Sequence, residues 1–224
     1  MNAIVLLSGG LDSTVTLAVA VKENDNVTAL SFRYGQRHTK ELISASNVCE
    51  HYGVKHVIMD MDLSMFRSAL TRDDMRVPEG RESEKMSSDI PETYVPARNI
   101  IMLSVAAGLC ESMDTERIYI GANSVDYSGY PDCRPEFFKA FKEMMAKGTK
   151  AGVEGRPITI ETPILNLSKK DIVLLGKELK APLELTWSCY NGREKACGKC
   201  DSCILRLKGF ADAGYKDEVL YETL

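Results

Sequence analysis

Long apolar runs, an excess of basic charge and a disulfide framework are all missing from this sequence. The longest uncharged apolar stretch, residues 100–110, is about half of the roughly 20 residues a membrane span requires. The chain begins MNAIVLLSGG, with no basic n-region and an apolar run confined to residues 3–7, so no signal peptide is expected. Lys and Arg total 28 against 32 Asp and Glu, a formal net charge of -4. A general nucleic-acid binder needs a basic face to neutralise phosphate, and this balance argues against one. Basic residues gather only locally, at Arg193, Lys195, Lys199, Arg206 and Lys208. Histidine occurs three times, so few side chains are candidates for proton transfer near neutral pH. There is no internal repeat and no low-complexity tract. The 7 cysteines are an odd number, four of them between positions 189 and 203, and 224 residues can bury a core without covalent staples. That clustering points to metal binding in a reducing compartment. A cytoplasmic protein with no stable nucleic-acid or membrane partner is expected.

The first half alternates short apolar runs with helical periodicity. Strands are expected at 3–7, 27–32 and 54–61, and helices at 12–22 and 39–51, the second stopped by Gly53. Such alternation indicates βαβ units and a parallel sheet. Residues 71–96 are charged, proline-containing and aperiodic, and read either as a solvated surface loop or as a mobile lid. A nearly all-apolar helix at 97–113, buried on most faces, then precedes strands at 117–121 and 158–162. Helices are expected at 135–147, with a Phe and Met stripe facing the core, and at 168–180, where Ser168 and Asp171 form a capping box. A last helix covers 201–213. The expected fold is α/β: an open, mostly parallel five-stranded sheet with helices on both faces. Residues 1–180 form the main domain, and 181–224 a small C-terminal zinc-binding segment.

The segment Ser8-Gly9-Gly10-Leu11-Asp12-Ser13-Thr14 follows a strand and opens a helix. The two glycines admit backbone conformations closed to other residues. Several amides can then face one anion at a helix N-terminus. Ser8, Ser13 and Thr14 add hydroxyl donors. Asp12 would repel phosphate, which suggests that it acts through bound Mg²⁺. The segment lacks the lysine of a G-x-x-x-x-G-K-[ST] loop and is not G-x-G-x-x-G. It resembles the pyrophosphate-binding loop of the N-type ATP pyrophosphatases, which transfer AMP from ATP to a substrate oxygen.

Cys189, Cys197, Cys200 and Cys203 have the spacing of two overlapping C-x-x-C knuckles plus an upstream ligand. They can close a tetrahedral zinc site, structural because no position stays open to water. A [4Fe–4S] cluster also takes four thiolates. Cys49 and Cys110 fall on helices and read as core. Cys133, in a polar loop, is the one candidate reactive thiol.

Further stretches sharpen the likeness: Ser31-Phe32-Arg33-Tyr34-Gly35-Gln36-Arg37-His38, Val95-Pro96-Ala97-Arg98-Asn99, Gly121-Ala122-Asn123 and the run from Asp126 to Phe137. With the four-cysteine tail, the chain resembles the 7-cyano-7-deazaguanine synthases of queuosine and archaeosine biosynthesis over nearly its whole length. One departure is Ala97, where that family usually carries Gly; a negative φ there would make the change harmless.

The resemblance implies a ligase that forms carbon–nitrogen bonds, with ATP, Mg²⁺, one structural Zn²⁺ and a homodimeric assembly. Its substrates would be 7-carboxy-7-deazaguanine and ammonia. The carboxylate would be adenylated and displaced by ammonia, and the resulting amide adenylated in turn to leave the nitrile. Ser8 through Thr14, with Phe32, Tyr34 and Gln36, are the expected nucleotide-binding residues. Arg98, Asn99, Asn123, Asp126, Tyr127, Asp132 and Arg134 are expected around the substrate. Asp12, Ser13, His38, Arg98 and Asp132 are the catalytic candidates, His38 being the best placed to act as a base. Three other readings stay open: a tRNA-modifying member of the same superfamily, an amidotransferase of the NAD or GMP synthetase kind, and a non-catalytic nucleotide-binding zinc protein.

Overall fold

The computed structural model describes residues 1–81, 90–125 and 130–222. Its centre is a five-stranded sheet in the order β3-β2-β1-β4-β5, parallel throughout. The strands are β1 (Asn2–Leu6), β2 (Asn26–Arg33), β3 (Lys55–Asp60), β4 (Arg117–Ile120) and β5 (Thr159–Glu161). β1 lies in the middle, with Leu6 paired to Leu30 on one side and to Ile120 on the other. Successive β1 residues serve opposite faces, as strand geometry requires. Ile4 and Leu6 join a core with Leu103, Phe138 and Met145. Ala3, Val5 and Leu7 join another with Leu17, Ala20 and Val48.

The helices follow from that division. α1 (Leu11–Glu23) and α2 (Lys40–Tyr52) cover the second face; α3 (Arg98–Ser112) and α4 (Pro135–Gly148) cover the first. A single turn, α5 (Lys150–Val153), follows α4, then α6 (Lys169–Glu178) and α7 (Asp201–Asp212) complete the set. Gly53 ends α2 in the left-handed conformation, its amide returned to Glu50. Ser168 and Asp171 form the expected capping box of α6. After β3 the chain returns to the other side of β1. The strand order therefore reverses between β1 and β4, where open α/β sheets bind ligands outside the carboxyl strand ends.

One expectation needs correction and two others are refined. α3 is buried along one stripe, Leu103, Ala106, Ala107 and Cys110, while Ile100, Ser104 and Gly108 on the opposite side are exposed. Its many small and aliphatic residues supply apolarity without a second neighbour to bury the outer face. Ala97, before α3, has φ 55 and ψ 21, the left-handed region and not a negative φ. The described part of 71–96 is exposed over much of its length, as a surface loop is, but buried anchors make it a strap. Val77 packs into the cysteine cluster, Gly80 N–H donates to the Lys199 carbonyl at 2.9 Å, and Arg81 pairs with buried Asp201 at 2.8 Å.

The C-terminal segment is fastened the same way. Arg206 Nε lies 2.7 Å from Asp217 Oδ2, both side chains buried, and the guanidinium also reaches Thr186 Oγ1 at 2.7 Å. Trp187 N–H donates to the Gly9 carbonyl at 2.9 Å, which joins this segment directly to the glycine-rich turn. No helix among the described residues is long and apolar enough to cross a membrane.

Candidate active site

The glycine-rich turn sits between the carboxyl end of β1 and the N-terminus of α1. Ser8 Oγ and Ser13 Oγ lie 3.0 Å apart, and Ser13 Oγ donates to the Gly10 carbonyl at 3.1 Å, so the turn is braced from within. Gly10 is the N-cap of α1 and provides no side-chain cap. The first-turn amides of α1 are left for an outside acceptor, and an anion suits that place. Two neighbours close in because of glycine. A Cβ on Gly9, whose φ is 87, would lie 2.1 Å from the Glu41 carbonyl oxygen of α2. A Cβ on Gly121, after β4, would lie 2.9 Å from the Ser13 nitrogen.

A cavity of about 260 Å³ opens over this turn, lined by residues from several parts of the chain. Ser8, Gly10, Asp12 and Ser13 form its floor. Phe32, Tyr34, Gln36, His38 and Glu41 come from the end of β2 and the start of α2, and Arg98 and Asn99 from α3. Lys169 and Trp187 close it from the C-terminal side. Gln36 is held by the backbone, its Oε1 accepting from Tyr34 N–H at 2.7 Å.

The charges in the cavity have distinct fates. Lys169 Nζ contacts both Asp12 carboxylate oxygens, at 2.9 and 2.8 Å, so the acid that would repel a phosphate is neutralised by a buried lysine. For Arg98, burial opposes the charge, but Tyr34, Tyr130 and Asp132 around it outweigh that effect and hold the guanidinium protonated. For Glu41, burial pushes the carboxyl up to about 7, against the pull of Arg98. For His38, burial pushes the imidazole below its usual range; Nε2 lies 3.1 Å from the Cys189 carbonyl and Nδ1 is buried without a partner.

The four clustered cysteines converge. Their Sγ atoms all lie within 4.8 Å of one another and all four residues are buried. Cys197 Sγ and Cys203 Sγ are 3.9 Å apart, close to the roughly 3.8 Å that tetrahedral bonds of ~2.3 Å to zinc would give. Backbone amides point at the sulfurs: Lys199 and Cys200 N–H at Cys197 Sγ, and Asn191 and Cys197 N–H at Cys189 Sγ, at 3.3–3.4 Å. Donors aimed at sulfur suit thiolates, so the residues present fit a tetrahedral metal ion. Cys133 behaves differently. It is buried, and burial pushes its thiol up to about 12, so the expectation of a reactive thiol is corrected.

Residues 2–214 match the family described as "Queuosine biosynthesis protein QueC". The chain belongs to this family. Relatives named 7-cyano-7-deazaguanine synthase include one from Acetivibrio thermocellus, 54% identical with 98% of this chain and 97% of that protein covered. Another, from Picrophilus torridus, is 51% identical, covering 99% of this chain and 92% of that protein. Among solved structures, the fold is similar to NMN synthetase from Francisella tularensis (TM-score 0.51, 15% identity, 96% of this chain and 77% of that one). It is also similar to a 4-thiouridine synthetase in an RNA complex with bound ATP (TM-score 0.52, 16% identity, 82% of this chain and 42% of that one).

Within this QueC-family chain, the structure places most of the expected nucleotide residues together. Ser8, Gly10, Leu11, Asp12, Ser13, Phe32, Tyr34 and Gln36 line the cavity, and so do His38, Arg98, Asn99 and Asn123. Gly9 lies behind the floor against α2, and buried Thr14 faces inward along α1 with its hydroxyl unpartnered. Asp132 and Arg134 are not brought to the cavity wall. Asp132 Oδ2 accepts from Asn99 N–H at 3.0 Å and its carbonyl accepts from Asn99 Nδ2 at 3.1 Å, so this acid caps α3. Arg134 is exposed at the head of α4. Asn123 Nδ2 donates to the Ile164 and Leu167 carbonyls and so braces a loop. Asp126 and Tyr127 lie outside the described residues.

Lys169 and Glu41 were not among the expected site residues. Lys169 does carry a signal: a lysine in the first turn of a helix opposes the helix dipole, and its position needs another reason. Glu41 carries none, because an acid in the first turn of α2 is ordinary helix chemistry.

Proposed function

We propose that this chain is an ATP-dependent ligase that converts 7-carboxy-7-deazaguanine and ammonia to 7-cyano-7-deazaguanine. The observation that carries this reading is the brace of serines and open helix amides at the glycine-rich turn, facing a cavity that also holds Arg98. ATP fits there with its phosphates on the turn and the first amides of α1. Lys169, already at Asp12, is within the same wall to contact the departing pyrophosphate, and Mg²⁺ would add charge neutralisation on the phosphates beside Asp12. Tyr34, Gln36 and Phe32, at the end of β2, would meet the nucleotide base.

Arg98 gives an acidic substrate its counter-charge and orients the carboxylate toward the α-phosphate. Carboxylate and amide oxygens are poor leaving groups until phosphorylated, so two rounds of AMP transfer give first the amide and then the nitrile. Catalysis of this kind is positioning and charge stabilisation. Cys189, Cys197, Cys200 and Cys203 would hold one structural zinc, since four thiolates within 4.8 Å suit a single tetrahedral ion and a four-iron cube would spread them farther. Dimerisation and a cytoplasmic location belong to the same reading and rest on the resemblance alone.

The test is incubation with ATP, Mg²⁺, ammonium and 7-carboxy-7-deazaguanine, followed by mass spectrometry. The nitrile and two AMP per product are expected. An intact carboxylate, beside an active control enzyme, overturns the reading.

A further inference from the structure

Near neutral pH ammonia is present chiefly as ammonium, which has no lone pair and cannot attack carbon. A site that binds the cation has to remove a proton before the nitrogen can attack. Two carboxylates line the cavity, Asp12 and Glu41. Asp12 is held by Lys169 through both oxygens. His38 has Nε2 against the Cys189 carbonyl and Nδ1 buried without a partner. Glu41 differs from both: its carboxyl forms no hydrogen bond and no ion pair among the described residues. It belongs to the first turn of α2, whose backbone rests directly on Gly9 of the phosphate-binding turn. Glu41 therefore lines the same cavity as that turn, with the Arg98 charge acting on its carboxyl.

We propose that Glu41 captures ammonium in the cavity and takes its proton, making it a catalytic residue of the amide-forming step. The inference rests on the function proposed above. In the step, an N–H bond of ammonium breaks, the electron pair stays on nitrogen and the proton passes to a Glu41 oxygen. The nitrogen lone pair then forms a C–N bond at the adenylated carboxyl carbon. The C–O bond to AMP breaks, and AMP leaves with that bond's electrons and with the second nitrogen proton on its phosphate. Glu41 releases its proton to solvent before the next cycle. A neutral nucleophile needs no such acceptor.

The experiment compares wild type, Glu41→Gln and Glu41→Asp with two nucleophiles, ammonium and hydroxylamine, the latter largely uncharged at neutral pH. For Glu41→Gln the expected result is a fall of about 10²–10⁴-fold in ammonium-dependent product. Hydroxamate formation, the first equivalent of pyrophosphate and the KM for the deazapurine should all stay within a few-fold. Glu41→Asp should recover part of the ammonium-dependent rate. An equal loss with both nucleophiles, a raised KM for the deazapurine alone, or undiminished use of ammonium overturns the proposal. If the wild type itself forms neither nitrile nor hydroxamate, the proposed function fails instead, which keeps the two failures apart.

Discussion

At Ala97 the backbone is in the left-handed region, at φ 55, where a Cβ crowds the following carbonyl. Ala97→Gly should raise unfolding free energy by about 1 kcal/mol, read as a higher midpoint in urea; no change or a loss would show that the strain is not there. Glu41 carries a cost of another kind. Its folded carboxyl is raised from 4.5 to about 7 by burial, opposed by Arg98 and reinforced by Cys189. A raised carboxyl means that the folded state binds the proton more tightly than the unfolded state. Stability is therefore lost as pH rises from about 4.5 to about 7. Glu41→Gln should then be more stable than wild type at pH 8, by about 3 kcal/mol, and little different at pH 4; thermal melts at the two pH values check the sign. Lys169→Met strands Asp12 without its partner. It should cut ATP-dependent pyrophosphate release at least ~10²-fold. Its destabilisation should shrink when Asp12→Asn is added, because the two residues are coupled.

The contact between α2 and the glycine-rich turn is decided by atoms that are absent. Gly9 has no side chain, so the Glu41 carbonyl can rest on it, and Glu41 itself lines the cavity. Gly9→Ala should cost about 2–5 kcal/mol, from backbone strain and overpacking together. It should abolish ATP binding measured by calorimetry even where the variant still folds. Element boundaries were legible because periodicity, caps and breakers agree: Gly53 for α2, Ser168 with Asp171 for α6, Pro135 at the start of α4. The open outer face of α3 was not legible. Composition records how apolar a helix is, whereas exposure depends on whether another element packs there.

Across the whole molecule, the cysteine cluster ties two distant segments to the site. It packs against Trp187, whose amide reaches the glycine-rich turn, and the strap residues Gly80 and Arg81 hold its other side. Metal removal should therefore loosen more than the cluster. Chelation should lower the melting temperature by at least ~10 °C and open Arg81 to trypsin, with one zinc released per chain by elemental analysis. An unchanged melt and cleavage pattern after complete metal loss would show that the metal has no structural role.

Residue order alone determined the alternation of strands and helices, the glycine-rich turn and the four thiols, since each depends on neighbours within about a dozen positions. That is why Ser8 to Thr14 and Cys189 to Cys203 could be read from spacing. Tertiary structure decided which side chains face one another across longer separations. It set Lys169 on Asp12, 157 residues apart in sequence, and turned Asp132 to the helix end of α3. It also buried the thiol of Cys133 and set Glu41 in the cavity wall near Arg98. Those outcomes follow from the crossing of the chain between β1 and β4, because burial and charge pairing belong to packed neighbours and not to the order of residues.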